Sequence, residues 1–503
     1  MDTAAPDTAP DLANVSNTGP FDSLRDYIAA LETHGYLLRI PEMDQDQYET
    51  TAFAYKLVDR KGYNTAPAFL IERVKLNGEW MDGPVLGNPY GPWQAEALGF
   101  GVETITDDYI AMYRAAMGKI DSLCKRGVPK IDPNTVKNAA APCKEHVKLG
   151  TDVDIEKFPW LMTNPADGGR YINCGSVVIE DAKLGRNVGT YRCQVKGPKK
   201  IGVNPEPYQH GWNMLMNAKK RGEKSVKAAV VIGADPIVFA MSSSKVAGPG
   251  QDELALAGGF RNKAVDVVKC ETSDILVPAH SEIIIEGEIP LDSGFEEEGP
   301  FGEMYGYLGL KKDENFFMEI KAVTHRTNPW TINNYTGVTR GFLTSPMSAT
   351  AQMRFKMMVP GLQSMHIPTD ATGYTIIGID KKQPGAGIAA GQIVAGSLNI
   401  AKVVIVVDKD VDVLNWTDVL AAVGSRWQPH PATLIIPQQL GMRLDPSAPV
   451  RGMSSKVIID ATRQMPEEGG PPDSYPPLNR TLLQEMCPES FDLVDSKWSE
   501  YGL

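Results

Sequence analysis

"YINCGSVVIEDAKLGRNVGTYRCQV", Tyr171 to Val195, is where the chain changes to strand-forming composition. Its "YINCGSVVIED" and "NVGTYRCQV" are short, rich in β-branched residues and parted by turn residues, which reads as neighbouring strands. The series continues through "KAAVVIGA", "VDVVKCE" and "SEIIIEGEI". With helices such as His210 to Arg221 inserted, it predicts a small barrel-like sheet rather than a regular parallel one.

Upstream, "FDSLRDYIAALETHGYLLRI" predicts a helix with Asp22 or Ser23 as N-cap and Gly35 as stop, then a strand. A second helix is expected over Thr106 to Cys124, followed by a Pro-rich connection ending near Pro142. Downstream, "SPMSATAQMRFKMMV" is an apolar, Met-rich helix. It leads into "GYTIIGID" (strand), "GIAAGQIVAGSL" (helix), "AKVVIVVD" (strand) and "WTDVLAAVGSR" (helix). Strand and helix in alternation imply a second, α/β domain with a mixed sheet. The boundaries read as a floppy tail over 1–19, a first domain over 20–335, an α/β domain over 336–470 with a helix at about 340–358, and a helical segment over 471–503.

The chain's 503 residues suit two domains with a short appendage. Apolar residues at 42% and charged at 22% describe a soluble globular protein. With 50 basic against 62 acidic residues the net charge is −12, which argues against nucleic acid as a partner because phosphate would be repelled. No apolar run is long enough to span a membrane. The N-terminal stretch lacks the basic and apolar regions of a secretory signal. Six cysteines without CxxC spacing read as thiols in a reducing compartment, so a cytoplasmic location is expected.

"EEEGPFGEMYGYLG", Glu296 to Gly309, holds the sharpest chemical question. Glu298 and Glu303 would point to opposite faces of a strand and would lie about 140° apart on a helix. Gly299, Pro300 and Gly302 predict a turn that lets them converge. A solvated acidic loop is the competing reading. Arg192, flanked by Tyr and Cys, reads either as a surface charge or as a buried partner for one of these carboxylates. Asn187, His210 and Glu253 belong to the same β-rich region and offer an amide, an imidazole and a carboxylate. That mixed set suits Mn²⁺, or Mg²⁺ with an added phosphate oxygen. "GAGIAAG", with Asp408 ending a later strand, has the spacing of a dinucleotide fingerprint, but Pro384 stands where a strand should run into the first glycine. It reads as a small-residue helix face packed on a sheet.

Taken together, "EGPFGEMYGY" (Glu298 to Tyr307), "FPWLMTNPADGGRYI", "NVGTYR", "QHG" and "VKCETSDILVPAHSEIIIEGEI" resemble the UbiD family of reversible decarboxylases that use prenylated FMN. The resemblance implies a mixed α+β and α/β architecture: a split-barrel-like flavin-binding domain joined by a helix to a smaller α/β oligomerisation domain, with the active site between the two and a hinge around the 340–358 helix. It places Asn187, His210 and Glu253 at the Mn²⁺ that grips the cofactor phosphate. Asn187, Val188, Gly189, Thr190, Tyr191 and Arg192, with Gln209, His210 and Glu253, fall where the cofactor is contacted. Ser242 and Ser243 lie near a K⁺ site. Arg192, Glu298 and Glu303 match the catalytic network, with Glu303 as proton donor.

What the resemblance implies is a homodimeric or homohexameric lyase that decarboxylates an aromatic or heteroaromatic acid, a hydroxybenzoate or an indole, pyrrole or furan carboxylate, with release of CO₂. Met304 and side chains of the Tyr335 to Met347 region are expected to line its pocket. Two glutamates beside one arginine allow one carboxyl to be held ionised and one protonated. The alternatives are a decarboxylase of α,β-unsaturated acids, a carboxylate-pair glycosidase and a non-catalytic flavin-binding module.

Overall fold

The structure is a computed structural model that describes residues 17–473 and 475–502, so most of the expected N-terminal tail lies outside the described residues. Where description begins, Gly19 N–H donates to Leu98 O at 2.8 Å. The chain divides into two compact units. The first runs to Arg354 and includes Ile367–Thr372 and Met442–Met453. The second comprises Phe355–His366, Gly373–Gly441 and the chain from Ser454 onward.

The first unit is organised around an antiparallel sheet in the order Lys200–Val203, Lys312–His325, Ile283–Pro290, Ser225–Ile232, Ser176–Asp181, Gly185–Thr190. Glu296–Glu298 and His146–Leu149 also pair with the long Lys312–His325 strand. Its central strands Ser176–Asp181, Ser225–Ile232 and Ile283–Pro290 carry uninterrupted apolar stretches because both faces are covered there. Val177, Ile179, Val230 and Ile285 enter one core, while Val178, Val231 and Ile284 enter another. "YINCGSVVIED" and "NVGTYRCQV" each split into two strands, with Tyr171–Ile172 pairing Cys193–Gln194 in a separate two-stranded ribbon.

The first helix, Leu24–Thr33, starts at a capping box between Ser23 and Asp26. Tyr109–Leu123 begins later than expected because the Asp108 side chain caps it, accepting from Ala111 N at 2.9 Å. Sequence reasoning missed most of a second sheet, Leu37–Asp44, Ala68–Leu76, Glu79–Gly87 and Thr331–Asn333. The missed signal is Asn77-Gly78 between two apolar runs. Both residues adopt positive φ, 54° and 82°, as a tight hairpin requires, and Asp46 accepts both N–H groups at 2.7 Å.

The Met-rich helix runs Ser345–Lys356, shorter than the expected 340–358. The residues before it are committed to the buried carboxylate of Glu96, which accepts from Arg340 Nη1 at 3.0 Å, Thr344 N at 2.7 Å and Ser345 N at 3.2 Å. Glu96 thus caps the helix from another part of the fold.

The second unit carries a mixed sheet in the order Leu362–His366, Tyr374–Ile379, Val403–Asp408, Met453–Ala461, Thr433–Leu440. The three middle strands are parallel. Helix Ala386–Ser397 uses the "GAGIAAG" glycines as expected. A Cβ on Gly387 would sit 2.1 Å from Asp460 Oδ2, and one on Gly391 2.3 Å from Ile458 Cγ2. Asp408 is engaged by Arg426 at 2.6 Å and by Arg463 N at 2.8 Å, so it serves an ion-pair network. Terminal helices form at Asn479–Met486 and Glu489–Ser496.

Candidate active site

Arg192 stands in the break between strands Gly185–Thr190 and Cys193–Gln194, where the chain passes from the main sheet to the ribbon. Its guanidinium grips Glu298 with two parallel bonds, Nε to Oε1 at 2.8 Å and Nη2 to Oε2 at 2.7 Å, and its Nη1 donates to Glu303 Oε1. It also lies over the Phe301 ring, 4.9 Å from the centroid. Both carboxylates therefore converge on one cation, and the solvated-loop and surface-charge readings are set aside.

The bend that achieves this is local. Strand Glu296–Glu298 ends at Gly299, whose φ of 83° suits glycine. After Pro300 the chain forms a short hairpin, Phe301–Gly302 against Leu308–Gly309. Glu303 starts its tip, with its N–H on Tyr307 O and its carbonyl accepting from Gly306 N–H, both at 2.9 Å. Gly309 makes the room: a Cβ there would sit 2.7 Å from Glu303 Cγ and Oε1.

The pair is asymmetric. Glu298 is buried and held by both oxygens, whereas Glu303 is held by one and its side chain keeps 12% exposure. Burial alone would lower the pKa of Arg192, but Glu298 and Glu303 hold it above the ordinary arginine value. Burial and the neighbouring Glu298 push the Tyr171 phenol up, so it stays a neutral donor. The Arg192 fork therefore holds Glu298 by both oxygens and leaves one oxygen of Glu303 outside it.

A second constellation lies where strand Gly185–Thr190 meets the N-terminus of helix His210–Lys220. Tyr191 joins the two, its hydroxyl accepting from Gly211 N at 3.1 Å. A Cβ at either Gly189 or Gly211 would strike its ring. Glu253, at the start of helix Glu253–Arg261, is buried and accepts from Val188 N at 2.8 Å. Burial pushes its carboxyl up to about 7. Asn187 is buried with its amide nitrogen unpartnered among the described residues. Burial, with Lys245 nearby, lowers the pKa of His210, which favours the neutral imidazole that metals bind.

Among the described residues no three His, Cys, Asp or Glu side chains gather as a metal cluster. The expected trio holds only two of those types, with an amide as the third. The buried Glu253 carboxylate, which forms no salt bridge among the described residues, the His210 imidazole and the Asn187 side-chain oxygen nonetheless offer a donor set that fits a hard divalent ion. Ser242 and Ser243 belong to a hydroxyl cluster. Thr190 Oγ1 lies 3.0 and 2.8 Å from their oxygens, and Ser176 Oγ lies 2.7 Å from Ser242.

Sequence reasoning did not find Lys312, which pairs across strands with Glu298, or Glu206, which takes Lys312 together with Arg443 at 3.2 Å and Arg451 at 3.3 Å. Their separations in sequence leave no local pattern. Within the Tyr335 to Met347 region, three side chains are committed elsewhere. Tyr335 is packed in the core against Phe69, and Arg340 and Thr344 are taken by Glu96.

Comparison with known proteins gives the family. Family models of the 3-octaprenyl-4-hydroxybenzoate carboxy-lyase N-terminal, Rift-related and C-terminal domains match residues 28–111, 134–339 and 342–461. A phenolic acid decarboxylase of Sedimentibacter hydroxybenzoicus is 32% identical over 469 residues, 90% of this chain and 93% of its own. The vanillic acid decarboxylase structure from the same organism, in open form, is 30% identical with a TM-score of 0.77, covering 94% and 99%. HmfF of Pelotomaculum thermopropionicum, a UbiD-class enzyme solved in complex with FMN, is 29% identical with a TM-score of 0.76, covering 91% and 98%. The chain belongs to the UbiD family and is a carboxy-lyase. The glycosidase and non-catalytic readings are thereby replaced.

Proposed function

We propose that this protein catalyses the reversible, non-oxidative decarboxylation of an aromatic or heteroaromatic acid with prenylated FMN, and that Glu303 is its proton donor. The observation carrying this reading is the single guanidinium of Arg192 shared unequally by Glu298 and Glu303. Support for the substrate class comes from the relatives, named as phenolic and vanillic acid decarboxylases, and support for the flavin from the HmfF complex with FMN.

Cleaving the ring–carboxylate bond leaves an electron pair on an sp² carbon that no side chain can absorb, and prenylated FMN, when bound, supplies that electron sink. The protein's part is position and proton. Protonated Glu303 gives its proton to the ring carbon, forming the C–H bond as CO₂ departs. The carboxylate left on Glu303 is then stabilised by Arg192 until it takes a proton from water. Glu298 keeps Arg192 in place and its charge compensated. In the carboxylation direction the same Glu303 removes the ring proton.

Asn187, His210 and Glu253 would hold Mn²⁺, which lets an acidic protein keep a phosphate without unpaired charge. Strand Gly185–Thr190 with Tyr191 and Arg192, and Gln209 at the helix start, would hold the flavin. The Thr190, Ser242 and Ser243 hydroxyls suit K⁺. The expected setting is a cytoplasmic homodimer or homohexamer, in keeping with six free cysteines. The test is holoenzyme carrying Glu303→Gln, assayed for CO₂ release from hydroxybenzoates and from indole, pyrrole and furan carboxylates. Turnover should fall at least a hundredfold with flavin absorbance retained, and wild-type turnover would refute the assignment.

A further inference from the structure

The hairpin that carries Glu303 is not held by its own short strands alone. Asp167, only 6% exposed, faces it from the "NPADGG" loop. Its Oδ1 accepts from Gly302 N at 3.1 Å, one residue before Glu303. Its Oδ2 accepts from Asn164 N at 3.0 Å and Thr163 Oγ1 at 3.1 Å, which closes its own loop. The next residue, Gly168, donates its N–H to Pro300 O at 2.7 Å, while its carbonyl accepts from Gln194 Nε2 at 2.7 Å. A Cβ on Gly168 would sit 2.2 Å from Gly299 O, so the two backbones touch.

We infer that Asp167 is a positioning residue for proton transfer: through Gly302 N–H it fixes the hairpin so that Glu303 meets Arg192 and the substrate carbon. The neighbouring dipeptide contacts both halves of the turn. Gly168 braces Gly299 and Pro300, which follow Glu298, and Asp167 braces Gly302, which precedes Glu303. No lysine or arginine pairs with Asp167 among the described residues, so its burial is compensated by hydrogen bonds alone. A charged acceptor makes these bonds stronger than a neutral one would. Small displacements of a proton donor are costly, on the order of a hundredfold in rate for about 1 Å.

The inference rests on Glu303 as proton donor, and its test separates the two. Holoenzymes carrying Asp167→Ala and Asp167→Asn are compared with wild type on the aryl acid of the panel above that turns over fastest. Amide hydrogen exchange at Gly302 and flavin absorbance are read in parallel. For Asp167→Ala, kcat should fall roughly 10- to 100-fold with KM and flavin content unchanged, and the Gly302 amide should exchange faster. Asp167→Asn, which can still accept from Gly302, should fall between. Unchanged Gly302 protection, wild-type kcat, or a loss of kcat in proportion to flavin would overturn the inference. Full activity in Glu303→Gln would instead overturn the reading on which it rests.

Discussion

Glu303 is as sensitive to its neighbours' size as to their charge. Gly309→Ala puts a methyl group 2.7 Å from its Cγ and should lower kcat about 10- to 100-fold. Thermal unfolding and flavin content should barely move, because the hairpin tip is half-exposed; a steady-state assay beside a melting curve checks this. Arg192→Lys removes the fork that holds both oxygens of Glu298. One ammonium cannot span Glu298 and Glu303 in that geometry, so activity should drop at least tenfold despite the conserved charge. Glu253→Gln should lose flavin rather than chemistry, which absorbance of the purified protein reads directly. Glu298, Glu303 and Arg192 were legible as candidates from residue type and the Gly-Pro bend. Their unequal sharing was not, because it depends on which carboxylate the fold buries.

Among the elements, the Met442–Met453 segment is tied to the first unit's sheet through Glu206, which Lys312, Arg451 and Arg443 surround. Burial would raise the Glu206 pKa, but these cations hold it below the usual glutamate value. A lowered folded-state pKa contributes stability that is present above the unfolded value and lost as pH falls through the folded one. Glu206→Gln should therefore destabilise the protein by roughly 1–3 kcal/mol near neutrality, leaving three cations uncompensated. The difference in melting temperature from wild type should shrink toward pH 4. In the second unit, Gly387→Ala drives a methyl into the Asp460 carboxylate and should cost about 1–3 kcal/mol, seen as a lowered melting temperature. The small-residue face of that helix was readable because Pro384 excluded the nucleotide reading. The Asn77-Gly78 hairpin was equally readable, since both residues tolerate the positive φ they adopt.

For the molecule as a whole, five of the six cysteines are buried. Burial pushes the thiols of Cys143 and Cys174 up to about 12 and that of Cys124 to about 11. A thiol reagent at pH 8 should modify Cys487 alone in native protein and all six after denaturation, a count that mass spectrometry supplies. Periodicity, turn residues and one ten-residue motif determined from sequence alone that a β-rich domain precedes an α/β domain and that Glu298 and Glu303 share a bend. These are signals carried by near neighbours, where backbone preference and side-chain spacing act directly. Only the tertiary structure decided that Arg192 holds one glutamate by two bonds and the other by one, that Glu96 caps a distant helix, and that Asp167 braces the hairpin. Those contacts join residues far apart in the chain, and their strength is set by burial, which exists only once the sheets have packed.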